Sequence, residues 1–136
     1  MIPNKINGYF GGLAQPLKKG DGPALNLGAS TLTTVGAGTL LAALLSTGLL
    51  LRTGPTGGYL DTLDTGANID AAFPYLAVGD TFDVYYSNSV AFVSTITASA
   101  GITLKTAAAN NAVAASTGRL LHFEKTGVAT YDVYVI

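Results

Sequence analysis

The chain has 136 residues, 49% of them hydrophobic, with a mean hydropathy of +0.41, enough apolar content for one domain with a core. Only 11% of the residues are charged, against about 25% in ordinary globular domains. The net charge of -1 and the scatter of the basic residues from Lys5 to Lys125 leave no basic stripe for phosphates, which argues against a nucleic-acid partner, and the absence of cysteine excludes disulfides and thiolate metal sites.

A surface so short of charge is either covered by Thr, Ser, Ala, Gly and Asn or shared with other chains, because charge keeps neighbouring molecules solvated and apart. Sharing is the expectation. Residues 1–37 are rich in glycine, hold three of the five prolines and have no helical period. They are predicted to form an extended N-terminal arm. Ordering backbone costs about 1–2 kcal/mol per residue, and the segment offers few apolar groups to offset it, so contacts outside the domain are expected to hold it.

A β-rich domain is predicted over residues 38–136, opening with a short helix at about 39–47. Gly38 or Thr39 serves as N-cap, Leu40, Leu41, Leu44 and Leu45 form one face, and Gly48 stands where a left-handed C-cap belongs. The run "AGTLLAALLSTGLLL" (37–51) is shorter than the roughly 18 apolar residues of a membrane span and is divided by Gly48. A signal peptide would place such a run nearer the start, behind a basic region. No membrane partner is expected. "LLLR" (49–52) is read as a strand.

In "TGPTGGYLDTLDTGANIDAAF" (53–73), Gly54-Pro55 and Gly57-Gly58 mark tight turns. Asp64 or Thr65 caps a second helix at about 65–73, which presents Ile69, Ala72 and Phe73 to the core before Pro74 ends it. The glycines do not make a phosphate loop, since Tyr59-Leu60 follows them where Lys-Ser/Thr is needed. Asp61 and Asp64 lack the spacing and terminal Glu of a calcium loop. The stretch is read as turns and a helix cap.

After Val78 the pattern is β. "TFDVYYSN" puts Phe82, Val84 and Tyr86 on one face and Asp83 and Tyr85 on the other. "VAFVSTIT" points Phe92 and Ile96 inward, "ITLKT" is a short strand, and "NNAVAAS" is a small-residue connection or edge. "GRLLHFEKTG" places Leu121 and Phe123 opposite Leu120, His122 and Glu124, and "VATYDVYVI" places Tyr131, Val133 and Val135 opposite Asp132 and Tyr134. Five or six strands separated by Gly, Asn and Ser predict a mainly β fold, an antiparallel sandwich or barrel with one or two short helices.

The residues that could carry chemistry are few. His122 is the single histidine, so a histidine-cysteine zinc site is impossible, and it is read as a surface or subunit-interface residue. Asp80 and Asp83 could form a glycosidase pair, but two acids among seven aspartates are expected by chance. Tyr85, Tyr86, Tyr131 and Tyr134 could stack sugars and are read as core or interface aromatics. Nothing specifies a reaction: the reading is of a non-enzyme without catalytic residues, cofactor or metal.

The progression from "TGPTGGYLDTLDTGANIDAAF" through "LAVGDTFDVYYSNSVAFVSTITASAGITLKT" to "VATYDVYVI", about residues 49–136, resembles small virion proteins of tailed bacteriophages, the capsid decoration or cement proteins. The resemblance implies a structural homotrimer on the outer surface of the virion, bound to the major capsid protein. Ile2, Ile6, Tyr9 and Phe10 are then the candidate capsid contacts, and Leu40, Leu41, Leu44 and Leu45 the candidate trimer-packing residues. The alternative is a head- or tail-fibre subunit whose β-domain binds glycans. A secreted carbohydrate-binding module would need an export signal, which is not found.

Overall fold

The computed structural model describes residues 28–136. The elements are β1 (Ser30–Leu32), β2 (Gly38–Leu40), α1 (Ala42–Leu45), β3 (Leu49–Arg52), β4 (Tyr59–Leu63), α2 (Gly66–Ala72), β5 (Thr81–Asn88), β6 (Ser94–Thr97), β7 (Ile102–Leu104), a 3-10 turn (Ala108–Asn111), β8 (Ala112–Val113), β9 (Thr117–Gly127) and β10 (Thr130–Val135). They build a mainly β, two-sheet sandwich. One sheet has six strands in the order β1-β3-β5-β9-β10-β7, the other four in the order β2-β4-β6-β8.

The chain changes sheet after every strand until β9, whose hairpin to β10 stays in the larger sheet. Five pairs of sheet neighbours are therefore separated by a single strand of the opposite layer, and four of them run parallel: β1 with β3, β3 with β5, β2 with β4 and β4 with β6. β10 and β7 are parallel as well, whereas β5–β9, β9–β10 and β6–β8 are antiparallel. The sandwich is thus mixed, not antiparallel throughout. Period-two alternation fixes which side chains face inward but carries no information about the layer that the next strand joins.

Crossing between layers demands sharp turns after very short strands. Gly54, at φ +106°, follows β3, and a β-carbon there would stand 2.2 Å from the Thr33 carbonyl oxygen. Only glycine combines that backbone angle with that approach. Tyr59–Leu63, read from sequence as part of a stretch of turns and a helix cap, is an inner strand of the smaller sheet, with Tyr59 and Leu63 buried.

Between the layers lie Leu40, Leu45, Leu50, Leu63, Ile69, Val84, Ile96, Leu121, Phe123, Tyr131 and Val133. Phe82 stacks on Phe123 with ring centroids 4.6 Å apart, and Phe73 closes that end 4.9 Å from Phe82. The inward faces predicted for β5, β9 and β10 are observed. Phe92 differs: it lies before β6 and is exposed, while Ser94 takes the inward position with Ile96.

α2 matches its expected span. The Thr65 hydroxyl accepts from the Asn68 amide as N-cap, and Ile69 and Phe73 are buried, although Ala72 is exposed. α1 is shorter than the expected 39–47, because Leu40 belongs to β2. Its cap is also not local. The Ala42 amide donates to Asp64 Oδ2 (2.8 Å), while Asp64 Oδ1 accepts from the Thr65 amide and Asn68 Nδ2, so one carboxylate holds the starts of both helices. Gly48 is left-handed, at φ +78°, but it is not the C-cap expected from sequence: the shortened helix ends two residues earlier at Ser46, whose backbone is right-handed. Ser30–Leu32, placed by sequence in the arm, pairs with β3. Residues 28–37 of the expected arm thus belong to the described fold, and residues 1–27 lie outside the described residues.

Candidate functional site

Among the described residues no group of three or more His, Asp or Glu side chains could hold a metal, and no helix is long and apolar enough to cross a membrane. The densest polar cluster is buried between the sheets. β3 directs Arg52 inward in register with Asn88 of β5, and β4 directs Asp61 inward between Tyr59 and Leu63. Arg52 Nε donates to Asp61 Oδ2 at 2.7 Å with both side chains fully buried. Arg52 Nη1 donates to the carbonyls of Thr34 (2.8 Å), Leu32 (3.3 Å) and Thr53 (2.7 Å), Nη2 donates to that of Gly36, and the guanidinium sits 4.7 Å from the Tyr59 ring centroid.

The cluster continues through the Tyr86 hydroxyl, bonded to Asp61 Oδ2 (2.6 Å) and Ser94 Oγ (2.7 Å). Burial, then the adjacent Asp61 carboxylate, pushes the Tyr86 phenol far above its ordinary range. Tyr59 donates to Asn88 Oδ1 (2.6 Å), and Asn88 Nδ2 donates to the carbonyls of Phe92, Val113 and Ala114. Since Arg52, Asp61, Tyr86, Asn88 and Ser94 are all sealed from solvent, the cluster offers no reactive atom to a substrate. It ties the two sheets together and clamps the β1–β2 connection. Sequence reasoning missed it, although the alternation in "LLLR" and "YLDTL" puts both charges on core-facing positions.

A second cluster fastens α2 to the β9–β10 hairpin. Asp70 accepts from Lys125 Nζ (2.8 Å), Tyr131 Oη (2.6 Å) and the Ala129 amide (2.8 Å). Lys125 and then Tyr131 lower the Asp70 carboxyl from its ordinary 3.8 to about 2, while burial and then Asp70 raise the Tyr131 phenol. Asp80 and Asp83 do not converge as a catalytic pair. Asp80 Oδ2 accepts from the Ala77 amide in the turn before β5, whereas Asp83 accepts from His122 Nδ1 at 2.5 Å on the outer face of the larger sheet.

The four tyrosines separate by face. Tyr86 and Tyr131 are core, whereas Tyr85 and Tyr134 lie on the outer face with His122. The leucine group also divides: Leu40 and Leu45 are buried in this chain's own core, Leu44 packs partly against it, and Leu41 is exposed. Leu41 therefore has the most surface to offer a neighbour. Ile2, Ile6, Tyr9 and Phe10 lie outside the described residues.

β1 and β2 are the terminal strands of their sheets, and both lie at the end of the sandwich where residue 28 leads in. Beside them a groove of about 520 Å³ is lined by Leu32, Thr34, Ala37, Thr39, Leu41 and Thr62. Comparison of the chain with protein families, curated proteins and solved structures finds no match in any of the three.

Proposed function

We propose that this chain is a structural virion protein that decorates the outside of a tailed-phage capsid as a homotrimer, contacting the major capsid protein through the end of the sandwich that carries β1, β2 and the segment preceding them. One observation carries the reading. Two short strand edges, with no partner on their outer sides among the described residues, flank a groove bearing Leu32 and exposed Leu41. Unpaired edges can accept an extended segment of another chain, with backbone hydrogen bonds giving affinity and side-chain pockets giving selectivity. Low surface charge lowers the cost of that burial, and three copies acting together turn modest contacts into tight attachment by effective concentration.

The experiment is cosedimentation of the purified protein with emptied capsids, comparing the full chain with one lacking residues 1–12. The proposal expects saturable binding that the deletion weakens strongly. Undiminished occupancy by the truncated chain removes the arm from the proposal, and absence of binding by the full chain removes the capsid.

A further inference from the structure

The outer face of the six-stranded sheet carries an aromatic ring laid across a glycine. Gly118 of β9 pairs with Ser87 of β5, diagonally next to Tyr85. A β-carbon on Gly118 would stand 2.5 Å from Tyr85 Oη and 2.6 Å from its Cζ and Cε1, so the phenol rests on the strand where a side chain would otherwise project. Tyr85 is nevertheless 46% exposed, which leaves a broad part of the ring open to solvent.

Around that ring the registers bring together groups suited to a polyol. Tyr85 lies beside Leu120, and in the next row Asp83, His122 and Tyr134 stand side by side on β5, β9 and β10. Asp83 is half exposed, and the His122 and Tyr134 rings are 6.0 Å apart. Glu124 and Asp132 follow in the row beyond, with Lys105 3.3 Å from Asp132. Adjacent strands are about 4.8 Å apart, so Tyr85 and Tyr134, two strands apart, span roughly the length of a disaccharide.

We propose that this face binds a neutral oligosaccharide, with one sugar ring stacked on Tyr85 and its neighbour's hydroxyls held by Asp83, His122 and Tyr134. An aromatic face offers a sugar's C–H surface apolar contact at little entropic cost, and ionised carboxylates can only accept hydrogen bonds, which sugar hydroxyls donate. Three carboxylates on the face, Asp83, Glu124 and Asp132, disfavour an anionic glycan. Likewise a second copy of the same face would set these carboxylates against their own kind. The inference goes beyond the capsid reading and does not rest on it.

The test is calorimetric titration of the full chain with cellohexaose, maltohexaose and a hyaluronan hexasaccharide, with NMR following the tyrosine rings and thermal unfolding confirming that each variant is folded. One of the two neutral sugars should bind and shift Tyr85. Tyr85→Ala should weaken it by about tenfold or more and Tyr85→Phe by less than about threefold, since the ring and not the hydroxyl stacks. Gly118→Ala, which lifts the ring from the strand, should also weaken binding. No binding of either neutral sugar by the folded chain overturns the inference. So does equal affinity in Tyr85→Ala, tighter binding of hyaluronan, or self-association through this face that Tyr85→Ala abolishes.

Discussion

Arg52 and Asp61 form a 2.7 Å ion pair between the two sheets, and neither side chain reaches solvent. Burying either charge alone would be costly: their mutual attraction offsets part of the desolvation penalty, and four backbone carbonyls accept hydrogen bonds from the two Nη atoms of the guanidinium. Asp61→Ala should therefore cost about 3–5 kcal/mol in urea unfolding. Asp132→Ala, which breaks the partly exposed pair with Lys105, should cost at most about 1 kcal/mol. Equal losses would contradict the structural role given to the buried pair.

Asp70 predicts a pH dependence with a definite sign. Its folded-state value, about 2, lies below the ordinary 3.8. The unfolded state thus takes up a proton first as pH falls, so the stabilisation is complete above the ordinary value and is lost on acidification towards 2. Melting temperatures of the native chain and Asp70→Asn should differ by a constant amount at neutral pH and converge between about pH 4 and 2. A difference that widens on acidification would contradict the assignment.

The legible part of the fold was what period-two alternation reports. Phe82, Val84, Tyr86, Leu121, Phe123, Tyr131, Val133 and Val135 face inward as their spacing requires, and Thr65 caps α2 three residues before Asn68. Strand direction was not legible, since a chain that crosses between layers and one that folds into hairpins leave the same inward and outward pattern. Strands β1 and β2, of three residues each, are too short to register as periodic. The leucine run was misdivided for a related reason. Leu40 ends β2 and α1 takes its cap from Asp64, 22 residues away, which no local motif announces. Of the candidate surface, the outward tyrosines Tyr85 and Tyr134 were readable, while the part played by Gly118 needed the cross-strand register.

Two glycines provide a steric test of how α2 meets the β9–β10 hairpin. A β-carbon on Gly66 would lie 2.0 Å from the Ala129 carbonyl oxygen, backbone that cannot rotate away, whereas one on Gly57 meets nothing within 4 Å. Gly66→Ala should destabilise by about 1–3 kcal/mol or more, and Gly57→Ala should stay within about 0.5 kcal/mol. Chemical denaturation of both distinguishes close packing from loop freedom. Similar values would contradict it.

The leucine group separates folding from association. Leu45→Ala empties a fully buried position and should cost about 2–5 kcal/mol. Leu41→Ser should leave the melting temperature within a few degrees, yet weaken trimer formation or capsid binding if exposed Leu41 lies at the contact. Sedimentation velocity together with thermal unfolding reads both. A Leu41→Ser chain that unfolds early but associates normally would contradict this division.

The most direct test of the proposal that this molecule works by sharing surface with neighbours is electron cryomicroscopy of the particle that carries it. The expected map has copies grouped in threes on the outside of the shell, each with its β1–β2 end buried against capsid protein. Copies standing singly, with that end open to solvent, or density confined to the tail, would contradict it.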